Sequence, residues 1–512
     1  MAHAIGVDVG TTNTKVVLVD GDGTLVAATS RAIPIERAGD AAEQDAELVW
    51  AAVSDAVAEL AAAHRAAAAD VVAVATCSQY SSIVAVDATG QPTAPMRLYL
   101  DTRGTDRALA VLQAHPDAFI TWIEHHGIPP IGGGLSLAHI LHLQHDLPAV
   151  HEATTAYLEP MDFVNRRLTG EVTATQCTMF ATQLCDNRSL GSTGYDPDLV
   201  AMAGVDPSRL PPLVAADAIV GPILPDVAAE LGLASTALVT TGMNDTHAGA
   251  FATGAYRGGR TGLVIGTTAV LLDTVDHMGV DLDHEVLSMP SPVADRYLVC
   301  AENGMAGKSV EHVLAELLRG GDAHATPSAV DPFAVLDDVL AGTEAGAGGV
   351  LFLPWLAGSM SPQGDRTMRG GFVNVSFDTR RLDLVRAAVE GTAHNLAWLL
   401  PAVEAFTGRP TDSIVFGGGA ARSAGWAQVV ADVLGAPVRA LRHPAHANAR
   451  AVALVALRRV AGAGSGDLGE LVEIDAAYEP DPAAHGVHAA RQGPFEAAFD
   501  ALRPIVASLN QP

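Results

Sequence analysis

Ile5-Gly6-Val7-Asp8-Val9-Gly10-Thr11-Thr12-Asn13-Thr14-Lys15 is the stretch on which the fold turns. Apolar Ile5, Val7 and Val9 alternate with small or acidic residues and deliver Asp8 to a Gly10-Thr11-Thr12 turn. A second apolar run, Val16 to Val19, follows at once, so the segment predicts a strand, a hydroxyl-rich turn and a returning strand. Gly10 lets backbone approach a ligand closely, and the hydroxyls and N–H groups beyond it can surround phosphate oxygens. Asp8 would then face a divalent cation, because hard oxygen ligands suit Mg2+. An ordinary hairpin with a polar turn fits the same residues, and the stretch alone does not separate the two.

The frame around it narrows the choice. With 512 residues and 52.6 kDa the chain exceeds the size at which one core stops growing, so two large domains are expected. A hydrophobic content of 49% with 17% charged residues supports substantial cores and argues against disorder. A formal charge of −28 without a basic patch argues against nucleic acid as a partner. Lysine occurs only at Lys15 and Lys308, which makes both positions worth following. Cys77, Cys177, Cys185 and Cys300 form no CxxC pair, as expected for reduced thiols in a cytoplasmic protein. The first residues lead straight into a strand, so no signal peptide is expected. No apolar run reaches the roughly 18 residues of a membrane span, so no membrane partner is expected either.

Further along, residues 43–69 are alanine-rich with helical periodicity, and Val71 to Thr76 predicts a strand ending at Ser78-Gln79-Tyr80. Ile83 to Asp87 predicts another strand, and Ile131 to Leu135 a glycine-rich loop before a helix. Ala237 to Thr241 predicts a buried strand that feeds Gly242-Met243-Asn244-Asp245, with a helix over His247 to Thr253. Thr261 to Asp273 then repeats the opening theme: apolar strand, Gly266-Thr267-Thr268, apolar strand. This echo implies two related α/β halves, each with a phosphate-facing hairpin, divided near residue 250. In the second half, Ile414 to Phe416 runs into Gly417-Gly418-Gly419 ahead of a helix over Gly425 to Leu434. Glycines between a strand and a helix N-terminus suit a nucleotide, although a GGG triplet alone also serves a tight connection.

In order along the chain stand DVGTTNTK (8–15), SQYSSIVAVDATGQP (78–92), LDTRG (100–104), GMNDTHAGAFATGA (242–255) and IGTTAVL (265–271). PWLAGSMSPQGDRTMRGGF (354–372) and GGGAARSAGWAQVVADVLGAPV (417–438) complete the set. On these pieces, spread over most of its length, the chain resembles the FGGY carbohydrate kinases of the actin-like ATPase superfamily. The resemblance implies two actin-like (ribonuclease H-like) domains, residues 1–250 and 251–512, around a deep cleft. It implies transfer of the ATP γ-phosphoryl group to a small-molecule sugar or polyol, with Mg2+ present and a homodimer left open.

By the same resemblance Asp245 is the catalytic base and also touches the sugar; a helix N-cap is the other role open to Asn244 or Asp245. Asp8 would hold Mg2+, while Thr11, Thr12 and Lys15 face Gly266, Thr267 and Thr268 across the phosphates. Gly307, Glu311, Gly419 and Ser423 would surround the nucleoside. Gln79, Tyr80 and Ser81 occupy the sugar loop, with Asp101 and Arg103 beside it or forming a salt bridge that fixes it.

Three signals are set aside. GMAGKS at 304–309 lacks a P-loop, because Glu302 stands where its first glycine would. His139, His142 and His145 drift round a helix, as a packed or solvated face does. Residues from Asp467 onward read as a terminal helical appendage. For the acceptor, Tyr80-Ser81 replaces the Arg-Glu pair of glycerol-using members, and the Ser78-Gln79 stretch resembles xylulokinases most. The chain departs from those at Ser81, where a histidine is usual, and at LYLD, where a tryptophan often precedes the aspartate. It departs again at Asn374, where a glycine is common, and at HPAHANARAVALVA, which lacks a Gly-Ala-Ala run.

Overall fold

A computed structural model describes residues 2–317, 336–462 and 472–510. Two sheets dominate it. The first is built from β1 (His3–Val9), β2 (Asn13–Asp20), β3 (Leu25–Ala32), β4 (Val71–Ser78), β5 (Ile219–Pro222), β6 (Leu238–Thr240) and β7 (Met243–Asn244). Its order is β5-β6-β4-β1-β2-β3, with β7 also beside β4. The second holds β8 (Thr261–Ile265), β9 (Thr268–Val275), β10 (Val280–Asp281), β11 (Val286–Pro290), β12 (Tyr297–Met305), β13 (Ile414–Gly417), β14 (Val438–Leu441) and β15 (Ile474–Tyr478). Its order is β10-β11-β12-β9-β8-β13-β14-β15.

The two sheets share one plan. In the first, β1 pairs antiparallel with β2 and parallel with β4, and β4 runs parallel to β6, which antiparallel β5 closes. In the second, β8 pairs antiparallel with β9 and parallel with β13, and β13 runs parallel to β14, which antiparallel β15 closes. The internal echo read from the two Gly-Thr-Thr turns therefore extends to whole sheets.

Side-chain alternation stacks these sheets into five layers. Ile5, Val7, Val9, Val16 and Leu18 point to one face and pack on α1 (Ala46–Ala63) and α3 (Pro160–Thr169). Ala4, Val17 and Val19 point the other way, onto α4 (Asp245–Thr253) and α7 (Ala447–Val460), whose far sides meet Leu272 and Leu298 of the second sheet. The outer face of that sheet is covered by α5 (Arg381–Thr407) and α6 (Ala424–Leu434). Alanines dominate the middle layer, so the helices approach both sheets closely.

Two expectations need correction. The helix predicted over 43–69 begins only at Ala46, where the Asp45 side chain accepts from the Glu47 N–H, and it breaks at His64. Glu43 and Gln44 instead belong to a short strand, Ala41–Gln44, that pairs with Met96–Arg97. The C-terminal tail is no appendage: β15 pairs with β14, and α8 (Pro482–Leu509) buries Phe495 and Phe499 around Trp355 and Trp398. Its opening residues, 467–471, lie outside the described residues. Asn374, which stands where a glycine is common, sits at φ +63. Asparagine tolerates that left-handed region, and here its Nδ2 donates to the Gly349 carbonyl at 3.0 Å. No helix among the described residues is long and apolar enough to cross a membrane.

Candidate functional site

Three parallel strands bring the acidic residues together. Asp8 of β1 lies in register with Cys77 of β4, and Cys77 with Met243 of β7, so all three strands end at one edge of the sheet. Such carboxyl edges of parallel strands are where α/β folds bind ligands. Asp245 follows β7 as the first residue of α4. The Asn244 side chain accepts the His247 N–H at 2.8 Å and so caps the helix, which releases the Asp245 carboxylate from that duty.

The electrostatics of the pair follow from burial. Asp8 is 6% exposed, and desolvation pushes its pKa up despite the Lys15 ammonium directly across the hairpin, 3.7 Å away. The Cys77 thiol donates to the same carboxylate. Asp245 is pushed up to about 7, first by burial and then by the negative charge of Asp8, with Glu302 adding to the rise and the Thr246 N–H opposing it. His446 also lies near Asp8 and Lys15.

The loop from Gln79 to Ser81 is held from behind. Gln79 is turned toward the first hairpin: its Oε1 accepts from Thr11 Oγ1 at 2.8 Å, and its Nε2 donates to Gln44 Oε1 at 3.1 Å. Gln44 Nε2 closes the ring on the Thr11 carbonyl at 2.7 Å. Tyr80 packs between the sheets, its hydroxyl bonded to Thr246 and its pKa raised by burial. Ser81 sits at φ +57, a strained position for a residue with a side chain. Its neighbours fix it: His139 Nε2 meets the Ser81 carbonyl at 3.2 Å, and the Ser82 N–H donates to Glu159 at 3.2 Å. Ser136 Oγ donates to the other Glu159 oxygen. Burial keeps His139 neutral, with a pKa pushed down to about 4. His139 therefore braces the loop.

Asp101 and Arg103 form the salt bridge that was one of their two readings. Arg103 Nε lies 3.1 and 3.0 Å from the two Asp101 oxygens, and its Nη2 meets Glu43, which also binds Arg97. Two residues earlier, the Tyr99 hydroxyl bonds to Thr11 and feels the charges of Asp245 and Glu302.

From the second half, Gly266 N–H closes its turn on the Thr268 carbonyl at 2.9 Å, and the Thr267 carbonyl accepts from the N–H groups of Ala306 and Lys308. A Cβ on Gly307 would stand 2.0 Å from the Gly266 carbonyl oxygen, so only glycine allows this approach. Gly418, with φ +83, presses likewise on Ile265, while the space beside Gly419 is open. Ser423 caps α6 by accepting the Trp426 N–H and donates to Asp337. Glu311 and Lys308 form an exposed pair at 3.0 Å. Among the described residues, the one His/Cys/Asp/Glu grouping with metal-ligand spacing is His125, Asp196 and Asp198, which does not include Asp8.

Sequence reading missed Gln44, Tyr99, Glu159 and Glu302. Gln44 and Glu159 are polar residues buried to 1% exposure or less, and nothing local marks them as partners of the loop at Gln79 to Ser82.

Known proteins share this fold. The N-terminal domain model of the FGGY family of carbohydrate kinases matches residues 3–252, and the C-terminal domain model matches 262–459. A xylulose kinase of Bacillus subtilis is 26% identical over 85% of this chain and 83% of its own. A gluconokinase of the same bacterium is 24% identical over 84% and 83%. The crystal structure of a xylulose kinase from Rhodospirillum rubrum superposes with a TM-score of 0.82 at 27% identity, covering 98% of this chain and 99% of that one. Both halves of the chain match, and the protein belongs to the FGGY family of carbohydrate kinases, phosphotransferases that act on sugars.

Proposed function

We propose that this kinase phosphorylates a hydroxyl of a ketopentose such as xylulose with Mg-ATP, and that Asp245 is its general base. The observation that carries the reading is Asp245 itself, relieved of capping by Asn244 and poised at about 7 beside Asp8. A carboxylate of that proton affinity can take the hydroxyl proton as the oxygen attacks the γ-phosphorus. Such transfer depends on positioning and charge neutralisation more than on covalent chemistry. Thr11, Thr12 and Lys15 would grip the phosphates from one side, and the Gly266-Thr267-Thr268 turn from the other. Gly307, Glu311, Gly419 and Ser423 would lie around the nucleoside. Gln79, Tyr80, Ser81, Asp101 and Arg103 would shape the sugar side, in the half comprising residues 1–250, with the nucleotide held mainly by 251–512.

Mg2+ suits the donors present. Asp8 offers a hard oxygen beside a second carboxylate; burial raises the cost of ionising Asp8, and its charge raises that of Asp245, which a divalent cation would relieve. When bound, the ion neutralises phosphate charge; with a single protein carboxylate assigned to it, phosphate and water would supply its other ligands. Lys15 then holds Asp8 ionised, and Asp245 receives the proton.

An aldonate acceptor is the second reading, favoured by the gluconokinase relative at nearly the same identity as the xylulose kinase. Against it, Arg97 and Arg103 are already engaged with Glu43 and Asp101. ADP release measured over ketopentoses, ketohexoses, aldonates and polyols tests the choice. Stimulation by xylulose above all others is expected; an identical rate with every acceptor and with none would sink the proposal.

A further inference from the structure

We propose that Glu302, carried by the second sheet, is a specificity-determining residue that accepts a hydrogen bond from a hydroxyl of the bound acceptor and turns carboxylated acceptors away. The proposal rests on the reading of Asp245 and the Gln79–Ser81 loop as the acceptor site. Glu302 stands on β12 opposite Val270 of β9, and Cys300 opposite Leu272. Residues two apart on a strand share a face, so Glu302 and Cys300 point the same way. On that face Cys300 and Val270 pack with Tyr80 in the apolar layer that joins the two sheets. Glu302 is the next residue along that face, and its charge reaches Asp245, Tyr80 and Tyr99, three groups of the first half that border the sugar loop.

Its carboxylate has no donor. Among the described residues nothing hydrogen-bonds to it or pairs with it, and burial alone accounts for its raised pKa. Glu302 is half-buried, so its carboxylate is partly desolvated yet open to a ligand, and a ligand hydroxyl can donate to it in place of water. A neutral polyol or ketose carries several such hydroxyls. An aldonate would bring its own negative charge against Glu302, Asp245 and Asp8, and like charges at short range are repelled strongly in a desolvated cleft. The second sheet would thereby read the acceptor held by the first.

Steady-state kinetics of wild type and Glu302→Gln, an isosteric change that removes the charge, test this. The acceptor KM is expected to rise about tenfold, the range for losing a charged hydrogen bond, with ATP KM within about twofold. The ratio of kcat/KM for gluconate to that for xylulose is expected to increase in the variant. An unchanged acceptor KM, or a rise confined to ATP KM, overturns the assignment and moves Glu302 to the nucleotide side. If Glu302→Gln melts below the assay temperature, Glu302→Asp is read by the same pair of KM values, because shortening the side chain withdraws the acceptor atom. Wild-type enzyme that turns over no acceptor defeats the reading of the site as a whole; normal wild-type turnover with unaltered variant constants defeats Glu302 alone.

Discussion

The hairpins at Gly10 and Gly266 share a position and differ in chemistry. Each follows the strand that starts the parallel part of its sheet, β1 beside β4 and β8 beside β13. In the first, Gly10 to Asn13 lie between the paired residues Val9 and Thr14; in the second, only Gly266 to Thr268 lie between Ile265 and Ala269. Two residues ahead of each glycine stand Asp8 and Val264, and five beyond stand Lys15 and Leu271. The first turn thus carries an ion pair, and the second is apolar at both places. Where the first has charge, the second has close backbone, locked by Gly307 and Gly418. One topology thus supports two unlike turns: a charged one beside Asp245, and a neutral one packed closely on neighbouring backbone.

Substitutions can break that contrast, the strongest first. Asp245→Asn is expected to lower kcat by about 10²- to 10⁴-fold, the span of general-base catalysis, while nucleotide binding by calorimetry survives. Comparable turnover would take Asp245 out of the base role. The same variant carries a stability signature. Asp245 has a folded pKa of about 7 against an ordinary 3.8, so stability falls as pH rises from about 4 to about 7. A neutral side chain avoids that loss, and Asp245→Asn is expected to melt at a higher temperature than wild type at pH 8 but not at pH 4. In wild type, kcat/KM should climb as pH rises through about 7 and then level off.

Next comes Lys15→Leu, which writes the second hairpin's residue into the first. Loss of the cation is expected to cost about 10²-fold in kcat/KM for ATP, in line with removing one preorganised donor at a transferring group. A change under threefold would make the charge of the first jaw incidental. Gly307→Ala tests the other jaw, since its methyl would stand 2.0 Å from Gly266 O. A loss of about 1–3 kcal/mol on chemical denaturation is expected, with weaker ATP binding and an unaltered acceptor KM. Wild-type stability would show that the second turn yields easily. Smallest of all is Lys308→Ala: its ion pair with Glu311 is exposed and worth under about 1 kcal/mol. A tenfold higher ATP KM there would relocate Lys308 to the nucleotide.

Much of this plan was legible in the sequence because it is local. Alternation in residues 5–19 and 261–273 marks both hairpins, and the run from Gly242 to Asp245 marks the strand-to-helix step that holds the acid. Even there the sequence left Asn244 and Asp245 interchangeable as caps, and only the side-chain bond to His247 separates them. What escaped is non-local. Gln79 reads as a sugar contact from its motif, but nothing local shows that Gln44 and Thr11, distant in sequence, hold both ends of its amide. Glu159 and His139 reach the loop at Ser81 and Ser82 from two different helical segments. The C-terminal helix escaped because its buried residues, His488, Phe495, Phe499 and Val506, are thinly spaced among alanines and charges.

The helix α7 has a consequence for how the chain is made. It comes from residues 447–460, yet it lies against β1 and β4, and a Cβ on Gly6 would meet the Ala449 carbonyl oxygen at 1.8 Å. Arg450 Nε donates to the Gly23 carbonyl, and Arg459 Nη1 to the Thr241 carbonyl. One face of the earliest sheet therefore has only α4 to cover it until α7 arrives. On the ribosome much of that face stays wet until nearly the whole polypeptide has emerged, which couples the burial of the first sheet to the end of synthesis. A gene cut near codon 260 would yield a fragment with a bare alanine-lined surface, prone to self-association.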